Sequence, residues 1–499
     1  MEGKNRFAAL LERLMEIAEV KNYTLAQELK YDVSYISKWV SGRMIPAEKS
    51  SPKVLSCMAH CIAVTASDEG AATLMSEYNA VDRNELEQAF VWNLQVEYDY
   101  VRSLQKATGA SIAPSTSYFP ELSLPQFINK MRHPVLFRVK SLDVMAAIDI
   151  MNMEHEYRLQ VADIENGHLQ VQRVFPDVHF SMIINLEFGV WNPVYDTVFL
   201  INMLTNFAHI NFHLYGGIEA SGRVLFTVKD DFSISGMLVA HKQCLAVTVS
   251  ENGEDSNVLY RAVEGMCSRE KLLLRETTME DMLAKFDYVH AVLSTNLRWV
   301  LGHLTEHFVP DDLFEELLPV VLGPDMDPAR AQELRSTHAL TQGILEESPV
   351  KLLLYESAFS DLIVSGQLDF FNHKIELTNE QRTRYIENLR TLCETQPNIE
   401  IKLIHGRMIA DFQYIANPCV FLADVISYLR LDNNSAQNKL LIINRAELQS
   451  LFDLYYRDAW SEKYGTVISD RATIVEYIRH TEQSIHLLSR LGGGEKNNL

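Results

Sequence analysis

The segment from Thr24 to Gly42, TLAQELKYDVSYISKWVSG, restricts the local fold more tightly than any other part of the chain. Its first half reads as a short helix opened by Thr24 or its neighbour, with Ala26 and Leu29 turned inward. A small residue at Ala26 lets two helices cross closely. Asp32 is a good N-cap for a second helix, because its carboxylate can accept free amides of the first turn. Ile36, one turn on from Val33, points back to the core and leaves Ser34, Tyr35, Ser37 and Lys38 outward. Gly42 stops the helix, and Arg43 and Pro46 follow. An apolar stripe precedes the pair (Phe7, Leu10, Leu11, Leu14, Ile17), and another follows it (Val54, Leu55, Met58, Ile62).

This arrangement resembles the helix-turn-helix of phage-repressor-like (XRE) transcriptional regulators. In that family a Thr or Ser start, A-x-x-L and a turn lead into S-Y-I-S-K-W-x-x-G, then a basic residue and a proline. The resemblance covers roughly residues 5–66. The family often has glycine in the turn where this chain has Lys30, a residue that adopts left-handed backbone at some cost. The resemblance implies double-stranded DNA as partner, contacted by Thr24, Ser34, Tyr35, Ser37, Lys38 and Arg43. It also implies a homodimer, since two modules about one helical turn apart on DNA read a palindromic site. A small helical bundle without a DNA role fits the same apolar stripes. The completeness of Y-I-S-K-W-x-x-G with its proline favours the first reading.

Charge distribution supports it. The 499 residues carry 45 Lys and Arg against 66 Asp and Glu, a net charge of -21. That total argues against broad adhesion to nucleic acid or anionic membrane. Residues 1–66 hold nine bases and seven acids, so they carry +2 and the remainder -23. The part expected to meet phosphate is therefore the part that phosphate does not repel.

The composition, 47% hydrophobic and 22% charged, is that of a globular chain long enough for several cores. The N-terminus lacks a signal-like apolar stretch, and the longest apolar run, Val194–Phe207, is interrupted by Asp196 and Asn202. A cytoplasmic protein with no membrane partner is expected. The six cysteines form no C-x-x-C pair, and buried free thiols are expected rather than zinc ligands.

The expected fold class is multidomain: an all-α helix-turn-helix domain, then a large α/β region of two similar halves with helical connectors. The expected boundaries are 1–66 for the DNA-binding domain and 67–118 for a helical connector and linker. A first α/β half at 119–278, a helical connector at 279–345, a second half at 346–470 and a terminal helix and tail at 471–499 follow. The connector includes a helix over Asn84–Lys106 with Leu86, Phe90, Leu94, Val101 and Leu104 near one face. Thr108–Pro125, rich in Gly, Pro and Ser, reads as the linker. Strands are expected at Val135–Val139, Phe180–Ile184 and Val350–Leu354, and a helical stretch over Met279–Gln342. Arg471–Leu491 reads as an amphipathic helix ended by Gly492–Gly494. Either it or the helices of 67–107 could hold the dimer.

Two stretches repeat one order. A helix (Asp196–Asn206), a strand ending at glycine (His209–Gly217), a strand (Cys244–Val249) and a helix (Leu259–Val263) match a second series. Its members are Thr383–Cys393, Asn398–Gly406, Leu440–Asn444 and Phe452–Arg457. The layout resembles the phospholipase D-like fold, whose halves each bring H-x-K-x-x-x-x-D to a shared cleft. The matching positions here are His241, Gln243 and Thr248, then Gln437, Lys439 and Asn444. One histidine and one lysine remain and both acids are gone, which disfavours phosphodiester cleavage by that route. As implied by this resemblance, His241, Gln243, Gln437, Lys439 and Asn444 would form a pocket for an anionic ligand.

The chain has no phosphate-binding glycine loop, no dinucleotide fingerprint and no H-E-x-x-H, so no cofactor and no metal are expected. Tyr455, Tyr456 and Trp460 lie at helical spacing and read as core rather than a ligand cage. The function expected is a DNA-binding transcriptional regulator, not an enzyme, with a large region sensing a small-molecule or protein effector. The competing class is a phosphodiesterase of the duplicated fold carrying an accessory helix-turn-helix. A third is a scaffold that binds another protein through its acidic surface.

Overall fold

Asn5 stands ahead of the apolar run that begins at Phe7, and its side-chain oxygen accepts the Ala8 amide at 3.0 Å. It thereby caps α1 (Arg6–Ile17) and satisfies one amide that the helix itself cannot. The computed structural model describes residues 5–78, 80–107, 116–131, 142–155, 157–158, 178–186, 192–239, 241–323, 327–406, 418–431, 439–463 and 465–492. After α1 come α2 (Asn22–Leu29), α3 (Val33–Val40) and α4 (Ser51–Thr65). Phe7, Leu11, Leu14, Ala26, Ile36, Val54, Leu55, Met58 and Ile62 are buried together, as their spacing predicts. Leu29 and Ile17 pack against this core half-buried. Val33 is instead exposed at the start of its helix, and Trp39 is the buried aromatic.

Lys30 ends α2 with φ +56°, ψ +40°, the left-handed conformation that a tight interhelical turn requires. An L-residue with a side chain pays for that conformation in crowding of its Cβ against the carbonyl. Lys30→Gly is therefore expected to stabilise the helical part by about 0.5–1 kcal/mol. An unchanged or lower denaturation midpoint would contradict it.

The helical core does not end at residue 66. α5 (Asp68–Tyr78) and α6 (Arg83–Ala107) add Leu74, Tyr78, Leu86, Phe90, Leu94, Tyr98 and Val101 to the same buried cluster. The expected connector is thus part of the helical body, and the apolar face of α6 is used within the chain. The side chain of Leu104 lies outside the described residues.

By internal contacts the chain forms two units, Met1–Asn185 with Ile210–Glu270, and Leu186–His209 with Lys271–Leu499. The first contains β1 (Thr116–Ser123), α7 (Leu124–Met131), β2 (Leu142–Ile148) and β3 (Val178–Ile184). The chain then passes through α8 (Pro193–Asn206), which belongs to the second unit, not to the first half where it was expected. It returns for β4 (Asn211–Gly216), β5 (Arg223–Val228), β6 (Phe232–Val239), β7 (Gln243–Ser250) and α9 (Gly253–Cys267). The seven strands run in the order β1-β7-β6-β5-β2-β3-β4. β2, β3 and β4 are parallel and the remaining pairs antiparallel.

β1 occupies much of the expected linker. Pro120 is tolerated there because β1 is an edge strand with no ladder partner on its outer side. The expected strand Val135–Val139 lies outside the described residues.

The second unit continues with β8 (Leu274–Thr278), α10 (Met279–Ala284), α11 (Asp287–Val292), β9 (Leu297–Leu301), α12 (Asp311–Leu322) and α13 (Pro328–Glu347). The expected helical stretch over Met279–Gln342 is therefore interrupted by a central strand. Next come β10 (Val350–Tyr355), α14 (Glu356–Val364), the hairpin β11 (Gln367–Phe370) and β12 (His373–Glu376), and α15 (Asn379–Thr395). The chain finishes with β13 (Ile399–Ile404), β14 (Cys419–Leu422), β15 (Tyr428–Arg430), β16 (Lys439–Ile443), α16 (Ala446–Trp460), β17 (Val467–Ile468) and α17 (Arg471–Gly492). Its sheet runs β17-β13-β10-β9-β14-β15-β16-β8, with β9, β10 and β13 parallel to one another.

Without the edge strand β17, this order and these pairing senses repeat those of the first sheet strand for strand. The correspondence reaches single residues. Ser123, the last residue of β1, pairs with Gln243, the first of β7. Thr278, the last residue of β8, pairs with Lys439, the first of β16.

The core of the second unit encloses charge. Arg430, fully buried, donates to Glu306 through both terminal nitrogens, at 2.8 and 2.6 Å, and lies 3.4 Å from Asp369. Tyr288 donates to Glu306 Oε1 at 2.6 Å, and His303 Nε2 lies 2.9 Å from Asp369 Oδ2. Burial opposes the Glu306 carboxylate, but the Arg430 charge and its hydrogen bonds outweigh burial and hold the pKa below the usual range. Burial pushes the His307 imidazole down to about 4.

Candidate nucleic-acid interface

The exposed face of α3 is built from its cap. Asp32 Oδ1 accepts the Ser34 amide at 2.9 Å, which fixes where the helix starts. Hydrogen bonds from the side chain and backbone of Ser34 lower the Asp32 pKa, so the cap is ionised and strongest at neutral pH. With the start set and Ile36 and Trp39 buried, helical geometry turns Ser34, Tyr35, Ser37 and Lys38 to solvent. Arg43, just past the left-handed Gly42 (φ +77°), is exposed as well. Five of the six expected contact residues therefore share one exposed stretch. Thr24 differs: α2 begins at Asn22 after Lys21, so Thr24 is half-buried inside the first turn rather than its cap.

Tyr35 is not a loose side chain. Its ring meets that of Tyr31 edge-on at 6.0 Å and that of Trp39 at 6.4 Å, while 44% of the residue remains exposed. Lys38 Nζ lies 5.6 Å from the Tyr35 ring centre. The rotamer of the most exposed aromatic on α3 is thus supported from two sides, as a base-reading group requires. Six cations in this part, Lys21, Lys30, Lys38, Arg43, Lys49 and Lys53, are exposed and form no ion pair among the described residues. Unneutralised lysine and arginine are the groups that can exchange counterions for phosphate.

Three residues outside the expected set hold this surface in place. Asn5 Nδ2 donates to the Gly42 carbonyl at 2.7 Å, joining the end of α3 to the start of α1. A Cβ on Gly42 would meet the Asn5 amide nitrogen at 3.1 Å, so close approach as well as backbone angle calls for glycine. The buried hydroxyl of Tyr98 on α6 donates to the Pro46 carbonyl at 2.9 Å, and Arg102 pairs with Glu48. The local signal for Asn5 is an N-cap ahead of an apolar stripe. No local signal joins Tyr98 to Pro46.

Four of the five expected ligand residues are tied to neighbours within their own unit. His241 sits in the turn before β7 with φ +63°, its Nδ1 against the Asn152 carbonyl. Gln243 opens β7 and donates to Glu121 Oε1 at 2.6 Å. Lys439 opens β16 and pairs with Glu276 at 3.0 Å, and Asn444 follows that strand and donates to the Leu272 carbonyl at 3.2 Å. His241 and Gln243 belong to the first unit, Lys439 and Asn444 to the second. Gln437 lies outside the described residues.

All six cysteines are free, five buried and Cys57 half-buried. Among the described residues no three His, Cys, Asp or Glu side chains are grouped to hold a metal ion. No helix among them is long and apolar enough to cross a membrane. No protein-family model and no curated protein matches the chain.

Proposed function

We propose that the protein is a DNA-binding transcriptional regulator whose α2–α3 pair acts as a helix-turn-helix, with α3 entering the major groove. The observation that carries this reading is the exposed face of Ser34, Tyr35, Ser37 and Lys38 on a helix whose start, stop and inner face are all fixed. Two copies would read a palindromic operator, and the acidic remainder would take an effector and bias the spacing of the modules. Such coupling requires the effector to bind one arrangement better than the other.

Selection from random duplexes tests the base-reading role. Tyr35→Ala or Ser34→Ala is expected to change which sequences are enriched. Equal loss of binding on every sequence would remove base readout from these residues.

The repeated strand order supports descent of the two α/β halves from one duplicated unit, and the equivalent places of Gln243 and Lys439 support the phospholipase D-like resemblance. That layout favours keeping the phosphodiesterase reading as the alternative. Against it stand the positions of the missing acids, Thr248 and Asn444, and the local ties of His241 and Lys439. Phosphodiester turnover by the purified chain that is lost in His241→Ala would replace the regulator with an enzyme.

A further inference from the structure

A cleft of about 510 Å³ opens in the second unit between α16 and the first residues of β9 and β10. Its construction follows from strand register. Arg298 on β9 and Lys351 on β10 are paired neighbours in a parallel ladder, so their side chains leave the same face of the sheet side by side. α16 lies over that face, with Tyr456 donating to the Lys351 carbonyl at 2.9 Å. From α16 come Arg457 and Trp460, which complete a wall of three cations and an indole. Asn296 and Ser450 add amide and hydroxyl groups at the margin.

The electrostatics of this cleft depart from those of the chain. Where acids outnumber bases 66 to 45 overall, the lining has three bases and a single acid, Asp453. Asp453 is committed to Arg298 at 2.9 Å. Lys351 Nζ is 4.0 Å from Glu400 and lies 5.5 Å from the Trp460 ring centre. Arg457 is exposed and has no ion-pair partner among the described residues. Lys402, 4.7 Å from the centre of the same indole, is held by Glu462 at 2.7 Å. Tyr455 and Tyr456 are core, as their spacing predicts, whereas Trp460 is half-buried and borders the cleft.

We infer that this cleft is a binding site for a small phosphate-bearing molecule with a planar ring, of the size of a nucleoside monophosphate. The volume falls within the range of pockets that enclose such ligands, about 300–1,000 Å³. The phosphate takes the uncommitted guanidinium of Arg457 together with Lys351, and a guanidinium suits it because its donors match two oxygens at once. The ring lies against the open border of Trp460, whose face is stacked on Tyr456 at 5.6 Å, and Asn296 and Ser450 offer hydrogen bonds elsewhere in the cleft. None of these residues belongs to the anion pocket expected at Lys439 and His241. As the effector site of the regulator proposed above, the cleft rests on that reading. As a ligand site it stands by itself.

Calorimetric titration of the full chain with AMP, adenosine and ribose 5-phosphate tests the site in the absence of DNA. AMP is expected to bind with one site per chain, ribose 5-phosphate more weakly, and adenosine at least tenfold more weakly than AMP. Arg457→Ala, on an exposed helix surface, is expected to lower AMP affinity at least tenfold with an unchanged melting temperature. Lys351→Met is the second variant, and it should act in the same direction. Absence of AMP binding at millimolar concentration, equal affinity for adenosine, or AMP binding indifferent to both substitutions would overturn the site. Repeating the titration with operator DNA separates the two ideas. AMP binding that leaves DNA affinity unchanged sustains the site and removes its effector role, whereas loss of DNA binding by the chain alone bears only on the regulator.

Discussion

Arg430→Met is expected to destabilise the second unit by about 3–5 kcal/mol, the usual consequence of removing one partner from a buried ion pair. The substitution keeps an unbranched apolar stem but shortens the side chain and removes its charge. It leaves Glu306 (2% exposed) and Asp369 (6% exposed) facing each other's charge in a core that admits little water. Two of the hydrogen bonds to Glu306 vanish with it, and among the described residues those from Tyr288 and the Phe371 amide remain. Replacing Arg430, Glu306 and Asp369 together by apolar residues of similar volume should recover most of the loss, because the penalty is an unpaired buried charge rather than a missing contact. Equilibrium denaturation decides it: a loss below 1 kcal/mol for Arg430→Met would contradict the account.

The same cluster predicts acid sensitivity with a defined sign. Arg430 holds Glu306 and Asp369 below their ordinary values against the effect of burial, so their stabilisation is present above about pH 4.5 and is lost as pH falls further. His307 stays neutral in the folded state down to about 4, whereas an unfolded histidine takes its proton near 6.5. Stability should therefore decline from about pH 6.5 to 4 through His307, together with His338, which burial also holds below its ordinary value, and more steeply below that through the carboxylates. His307→Gln should reduce the slope of the first part of the decline and leave the second. A decline of equal slope in that variant would assign the upper limb to other groups.

The largest effect on binding is expected for Lys38→Ala combined with Arg43→Ala. Both side chains are exposed, lie on or beside α3, and form no ion pair among the described residues. If each meets a phosphate, each releases about one counterion, and the double variant should reduce the slope of log affinity against log salt by about 2. Affinity should fall about tenfold or more per residue at low salt, to a similar degree on all duplexes, since phosphate carries no sequence. Neither side chain touches the core, so the melting temperature should not move. An unchanged salt slope would show that neither cation meets the backbone of DNA.

Much of the helical part was legible because its signals are local. The Asp32 cap, the small Ala26, the buried Ile36 and the stop at Gly42 each follow from neighbours within a turn or two. The left-handed backbone at Lys30 was an expectation of the resemblance, in which glycine often occupies the turn. Elements decided by distant partners were not legible. β9 is a five-residue, mostly apolar run between helices, and such a run cannot be told from helix by periodicity; pairing with β10 on one side, parallel, and β14 on the other, antiparallel, makes it a strand. β1 was hidden by Pro120 and by the Ser-rich sequence around it, and is a strand because β7 offers it an edge. The inclusion of α6 in the helical core rests on contacts that spacing does not reveal, such as Tyr98 with Pro46. The cleft beneath α16 was invisible for the same reason, since register alone brings Arg298 beside Lys351 and helix packing then brings Arg457 to both.

The most direct measurement is binding of the full-length chain to duplexes enriched by selection from a random pool, followed by fluorescence anisotropy against salt. The account predicts an enriched palindromic motif whose half-sites are about one helical turn, or a multiple of it, apart. It also predicts saturable binding that weakens as salt rises and is lost in the Lys38→Ala, Arg43→Ala double variant. No enriched motif, or the same weak affinity for enriched and random duplexes, would contradict the proposal that this protein reads DNA.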